Sequence, residues 1–337
     1  MSTDLHAEPA RAGGRGGSWQ LTDMLEQAPG FHSLAHTLAD LTDVGEPIVV
    51  GTADLKYSNG LVEYERRHPD RFFQFGVSEQ NMVSAAAGMA SVGLQPYIAT
   101  FASFLALLCC EQIRTDLAYT GLPVRLVGHH AGITLGFYGT SHHATEDLAI
   151  TRGIAGLTVL APADSAQLAA AVRACTKIDG PVYLRIGRGR EPAVYTRSEL
   201  TDFVIGKAIK HREGGVLTVI ATGSMVHPSL QAASILEAEG ISIGVVDMHT
   251  IKPLDSETVL DVAAKSDALV TVEEHNVVGG LGGAVAEVLA EAGTATRLHR
   301  HGLQDEYAAI APPTHLYRHY GLDAEGIAAK AREILSA

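Results

Sequence analysis

The chain has 337 residues, 46% hydrophobic and 19% charged, with a formal net charge of −13. That length allows two domains with sizeable cores, and the acidic balance argues against nucleic acid or an anionic membrane as partner. Its three cysteines, Cys109, Cys110 and Cys175, give no disulfide framework, and no apolar run approaches the ~18 residues of a membrane-spanning helix.

Residues 1–20 are rich in Ala, Gly and Arg without periodicity. They read as a disordered lead-in without the apolar centre of a signal peptide, and with the cysteine usage this predicts a reducing, cytoplasmic setting. Strand-like and helix-like runs then alternate. The spacing predicts strands at 47–50, 72–76, 96–100, 123–128, 157–161 and 182–186, with helices at 78–91, 104–119 and 164–174, the last capped by Asp164. A turn-rich, charged stretch at 191–215 holds Pro192, Gly206, Gly214 and Gly215 and reads as a linker. A second alternating set follows, with strands at 216–221, 243–247, 268–272 and 296–299 and helices at 229–238, 256–264, 282–291 and 324–335. The expectation is two doubly wound α/β domains, 21–190 and 216–337, with ligands at the carboxyl ends of parallel strands.

Several residues fall at those strand ends. Glu79 opens the helix after the strand at 72–76; taken alone, an acid in a first helical turn is the ordinary consequence of the helix dipole. Phe101 and Phe104 follow the next strand, where core packing is the ordinary role of Phe. His129, His130, His142 and His143 flank a loop containing Gly132, Gly136 and Gly139. No Cys or carboxylate stands at metal-motif spacing, so the loop reads as a polar pocket for a small anionic substrate rather than a metal centre. Residues 279–283 spell G-G-L-G-G after a strand. Lacking G-x-G-x-x-G, they predict a tight turn rather than a dinucleotide site.

In order, the Glu79 segment, the Thr100, Phe101 and Phe104 segment, the His–Gly loop running into Glu146 and Asp147, and residues 160–164 resemble the pyrimidine-binding domain of transketolases. Residues 220–224, 246–254, 272–276 and 279–283 resemble the transketolase C-terminal domain, so the likeness spans about 31–335. It implies thiamine diphosphate as cofactor, whose carbanion chemistry the protein positions. Glu79 is then the carboxylate hydrogen-bonded to N1′ of the pyrimidine, with apolar neighbours Phe75, Val77 and Phe101 disfavouring its charged form. By the same likeness Phe101 and Phe104 flank the pyrimidine ring, and Asp54 is an acid near the cofactor, unless it is only a strand-end cap. His130 and His142 line the sugar channel as candidates for proton handling or oxyanion contact. Ser58 and Arg188 resemble phosphate-binding residues, Arg188 offering the fork that suits a sugar phosphate.

Three departures accompany the likeness. The sequence has no Gly-Asp-Gly, so the diphosphate and its Mg²⁺ are expected to be held mainly by a separate N-terminal subunit, in a heterotetramer of two chains each. Phe137 and Tyr138 stand where many transketolases carry Glu-Asp, which puts Tyr138 against the substrate and predicts an acceptor other than a standard aldose phosphate. Phe31 stands where the family has an arginine used for phosphate. The expected activity is transfer of a two-carbon ketol unit from a ketose, with a sugar phosphate as the expected form, to an aldehyde. The β chain of a 2-oxoacid dehydrogenase is the nearest rival, since it shares the two-domain plan and cofactor glutamate. A non-catalytic partner subunit and a free-standing nicotinamide-dependent enzyme are weaker rivals.

Overall fold

The computed structural model describes residues 32–336; the expected lead-in and Phe31 lie outside the described residues. The first domain is built on strands β1 (Ile48–Thr52), β2 (Phe72–Gln74), β3 (Gln95–Phe101), β4 (Arg125–His129), β5 (Thr158–Leu160) and β6 (Val182–Arg185). They run parallel in the order β5-β6-β4-β3-β1-β2. β1 and β4 are buried along their whole length, as expected of a parallel sheet covered on both faces. Helices α1 (Ser33–Asp43), α2 (Val62–Arg67), α3 (Glu79–Ser91), α4 (Asp147–Gly153) and α5 (Ser165–Cys175) cover it.

α3 buries Met82, Val83, Ala86, Ala87 and Ala90, a stripe at helical spacing. α5 is capped as the sequence predicts: Asp164 Oδ1 accepts the Gln167 amide at 2.8 Å. Its far end is closed by the buried Arg125, whose guanidinium donates to the carbonyls of Cys175, Ile178 and Gly180 at 2.6–2.7 Å. The predicted helix at 104–119 is helical, with π turns at Phe104–Leu108 and Ile113–Ala118.

The second domain carries β7 (Ile209–Arg212), β8 (Leu217–Ala221), β9 (Gly244–Asp247), β11 (Ala268–Asn276) and β12 (Arg297–Leu303), in the order β12-β11-β8-β9-β7. Its helices are α6 (Val226–Ala238), α7 (Ser256–Lys265), α8 (Leu281–Glu291), α9 (Pro313–His319) and α10 (Ala324–Ser336). Two findings correct the linker and domain expectations. The stretch 191–215 is not a plain linker: β7 lies in it and pairs antiparallel with β9, closing one edge of the second sheet. The charged sequence of β7, with side chains half-buried or exposed, suits an edge strand and hides it from hydrophobic patterning. β10 (Thr250–Lys252), though embedded in the second domain's sequence, pairs antiparallel with β5 and extends the first sheet.

The two domains therefore share structure. Tyr195 donates its hydroxyl to Asp247 Oδ2 at 2.6 Å, and Gln167 Nε2 donates to the same oxygen at 2.6 Å. His211 Nε2 lies 2.7 Å from the Tyr195 hydroxyl. Asp247 ends β9, so first-domain helix, connecting segment and second-domain strand meet on one carboxyl. Burial pushes that carboxyl up to about 7. No helix among the described residues is long and apolar enough to cross a membrane.

Candidate active site

Five parallel strands of the first sheet end at one edge, and every site residue expected from the sequence stands at the end of one of them or in the segment that follows it, Tyr138 and His142 furthest along the loop after β4. Glu79 begins α3 after β2. It is only 7% exposed, and its Oε1 lies 3.4 Å from the Thr100 hydroxyl at the end of β3. The buried Cys109 thiol is close enough to feel it: burial first, then the Glu79 charge, pushes that thiol up to about 12. Phe75 packs against the core, whereas Val77 is 83% exposed and so gives Glu79 no apolar cover within this chain.

Phe101, one residue past Thr100, is the hub of an aromatic group. Its ring centroid is 5.7 Å from Phe104, 4.8 Å from His130 and 5.6 Å from His142. Phe104 and His142 are 5.2 Å apart, and Tyr138 lies over His142 at 4.6 Å. Phe101, Phe104, His130, His142 and Tyr138 thus come together, with Glu79 held at Thr100, the residue before Phe101. Ser141 Oγ sits 2.9 Å from His142 Nδ1 and fixes that ring.

His130 follows β4 in a left-handed conformation, φ +58°, a strained state for a residue with a side chain. Its Nδ1 is 2.7 Å from Nδ1 of His129. One nitrogen must donate and the other accept, so the two rings cannot both be protonated in this arrangement. Burial drives His129 down to about 3, with Arg188 adding to it. His130 is held well below the usual value by burial, then by His129, Arg188 and Arg190, and His142 is lowered by burial. Uncharged imidazoles against an aromatic wall can donate a hydrogen bond to an oxyanion or take a hydroxyl proton.

Arg188 follows β6. Its amide is held by Glu191 Oε1 at 2.7 Å, and its charge is felt by His129, His130 and Tyr138. It also lines, with Arg190, Phe137, Ser224, His227 and Tyr317, an 800 Å³ cleft between the domains. Asp54 and Ser58 lie on the loop after β1, at the same edge but apart from the aromatic group. Asp54 is exposed, with φ +57°, and its amide donates to Gln74 Oε1 at 2.6 Å.

A buried carboxylate on the same sheet edge as a wall of Phe rings suits a flat heteroaromatic ring that can hydrogen-bond at its edge. An aminopyrimidine fits that description. The G-G-L-G-G turn offers no comparable phosphate cradle. Glu273 accepts from the amides of Leu281 and Gly282 at 2.7 and 2.8 Å, so a carboxylate already fills the start of α8.

Sequence reasoning missed Glu274. It is buried on β11, and its carboxylate reaches the His–Gly loop: Oε1 accepts the Ile133 amide at 2.6 Å and the Tyr317 hydroxyl at 3.0 Å, and Oε2 accepts the Ser224 hydroxyl at 2.6 Å. Burial raises its carboxyl, opposed chiefly by the charge of Arg185. The only signal was its place in the Glu-Glu-His-Asn run; nothing local names a partner 141 residues away.

Comparison with known proteins agrees with this architecture. A family model described as the transketolase pyrimidine-binding domain matches residues 31–192, and one described as the transketolase C-terminal domain matches 206–327. A 6-deoxy-6-sulfo-D-fructose transketolase subunit from Clostridium sp. (strain MSTE9) is 40% identical over 307 residues, 90% of this chain and 94% of its own length. One of the apulose-4-phosphate transketolase subunits, from Phocaeicola vulgatus, is 35% identical over 303 residues, 90% of this chain and 96% of its own. A solved structure described as a split-gene transketolase in an inactive β4 tetramer superposes with a TM-score of 0.84 at 38% identity, covering 91% of this chain and 98% of that one.

Proposed function

This chain belongs to the transketolase family, and from that premise we propose that it is the C-terminal subunit of a split transketolase that binds thiamine diphosphate and moves a two-carbon ketol unit from a ketose to an aldehyde. The carrying observation is the buried Glu79 beside Thr100 on the edge where Phe101, Phe104, His130 and His142 meet. When bound, the cofactor supplies a carbon nucleophile for the ketose carbonyl.

In this reading Glu79 hydrogen-bonds to N1′ of the pyrimidine and governs its protonation, while Phe101 and Phe104 flank the ring and exclude water. His130 and His142, neutral through burial, hold the substrate oxyanion or take its hydroxyl proton. Arg188 and Ser58 bind a phosphate, and Asp54 approaches the cofactor from the loop after β1.

The cofactor's diphosphate and Mg²⁺ fall to a partner subunit, in an assembly of two chains each. Two features support this. Both sequence-matched domains are accounted for without a Gly-Asp-Gly segment. Beside Glu79, Val77, Leu107 and Leu108 are more than half exposed, an apolar rim suited to cover by another chain. Two of the similar chains are named subunits, and the solved one is described as a split-gene transketolase in an inactive β4 tetramer.

Tyr138 lies over His142 where a carboxylate would read a sugar hydroxyl, which favours an acceptor other than a standard aldose phosphate. The test is aldehyde release from ketose phosphates by the chain together with its N-terminal partner, thiamine diphosphate and Mg²⁺. Glu79→Ala is expected to lower the rate at least ~10²-fold, the low end of general acid–base effects. Unchanged activity would make the chain a scaffold. Turnover of pyruvate or branched oxoacids instead of ketoses would make it a 2-oxoacid dehydrogenase β chain.

A further inference from the structure

The loop that bears His130, Tyr138 and His142 belongs to the first domain but rests on the second. Three of its glycines mark the contact, because a side chain at any of them would collide with second-domain atoms. A Cβ at Gly132 would overlap the Glu274 carboxyl group, and one at Gly136 would overlap the Ala311 carbonyl. One at Gly139 would lie 2.8 Å from the Ile310 side chain. The Ala311 amide also donates to the Gly136 carbonyl at 3.2 Å. Glycine in this loop therefore serves close approach of two domains. The sequence alone suggested only a pocket lining.

Among these contacts Glu274 is the one that grips the loop backbone next to His130. Ile133 N–H, Ser224 O–H and Tyr317 O–H all donate to it, an arrangement that uses a carboxylate as pure acceptor. The Glu274 backbone is in turn held from the first domain: Arg185 of β6 donates to the Glu274 carbonyl at 2.8 Å while paired with Asp147 at 2.9 Å. The reach of the Glu274 side chain thus sets how far the loop stands from the Phe101 wall.

We propose that Glu274 is a positioning residue for the transfer reaction, a second-domain side chain that holds the first-domain loop so that His130 and His142 face the substrate. The role in catalysis rests on the transketolase reading above; the anchoring itself does not. A residue that merely joins two domains would change stability and leave turnover per folded molecule untouched.

Two variants in the complete two-subunit complex separate reach from charge. Glu274→Asp keeps the charge and withdraws the carboxylate by one methylene. Glu274→Gln keeps the reach, since its oxygen can still accept from Ile133 while its amide donates to the Ser224 or Tyr317 hydroxyl. Glu274→Asp is expected to lower kcat by ~10- to 10²-fold, the scale of a 1 Å misplacement, with thiamine diphosphate affinity unchanged because Glu79 is untouched. Glu274→Gln is expected to recover most of the loss. Amide hydrogen exchange over 131–138 should quicken in Glu274→Asp and return towards wild type in Glu274→Gln. Should Glu274→Asp fail to fold, Ser224→Ala, which frees one carboxylate oxygen, should show the same faster exchange and lower kcat in smaller measure. Wild-type kcat and exchange in Glu274→Asp, or equal impairment in both Glu274 variants, would overturn the proposal. If the wild-type complex transfers no ketol unit, the transketolase reading fails, while the exchange result still decides whether Glu274 holds the loop.

Discussion

Two imidazoles whose Nδ1 atoms stand 2.7 Å apart share one hydrogen and cannot both carry charge. That makes His129 an acid-sensitive point of the site. Its pKa is depressed in the folded chain to about 3, by burial and then by Arg188. The stability it contributes is therefore fully present above the unfolded value of ~6.5 and is lost as pH falls towards 3. Thermal melts should show a drop in Tm between pH 7.5 and pH 5 that is smaller in His129→Asn. An equal drop would place the acid sensitivity elsewhere. At the other end of the loop, Tyr138 stands, in the proposed reading, where many transketolases carry a carboxylate. Tyr138→Asp should raise kcat/KM for ribose 5-phosphate roughly ten- to hundredfold, the value of a hydrogen bond of about 1.5–3 kcal/mol to a charged group. A wild-type enzyme that already prefers ribose 5-phosphate would contradict that account of the acceptor.

At the scale of elements, alternating strand and helix patterns made the two α/β domains legible, and with them the sheet edge where Glu79, Phe101, His130 and Arg188 assemble. Phe101 ends β3 and His130 and Arg188 follow the buried β4 and β6, strands whose ends hydrophobic patterning can find; Glu79 follows the exposed edge strand β2 and opens a helix with its own apolar stripe. The elements that escaped are short or polar. β7 is four residues carrying Lys210, His211 and Arg212, and β10 is three residues that pair with a strand of the other domain. Neither has enough apolar periodicity to announce itself, and pairing across domains is a tertiary fact. The His–Gly loop was readable as part of the site but not as a docked segment, because its glycines answer to Glu274, Ala311 and Ile310, all far away in sequence. Gly132 shows the consequence. With φ +65° and no room for a Cβ, Gly132→Ala should cost about 1–2 kcal/mol for the backbone and a further ~1–3 kcal/mol for the collision. A denaturant midpoint unchanged from wild type would show that the loop gives way at no cost.

On the scale of the whole molecule, buried polar groups tie the domains together. The Arg185–Asp147 pair is almost fully buried, and Arg185 also bonds the Ala144 and Glu274 carbonyls. Removing one partner, as in Asp147→Ala, leaves an uncompensated charge and should destabilise the chain by about 3–5 kcal/mol in chemical denaturation. Asp247 acts with the opposite pH sense to His129. Burial raises its folded pKa to about 7, so the stability it contributes is complete below the unfolded value of ~3.9 and is lost as pH rises through about 7. Wild type should therefore lose Tm between pH 6 and pH 8 by more than Asp247→Asn does; parallel curves would show that Asp247 does not titrate there.

The central claim, that this chain holds half of a split active site, is tested most directly by one assay. Turnover of a ketose phosphate is measured with this chain alone and with its N-terminal partner subunit, thiamine diphosphate and Mg²⁺ being present in both. The account predicts aldehyde release only in the mixture, abolished by Glu79→Ala. Turnover by the chain alone would contradict it.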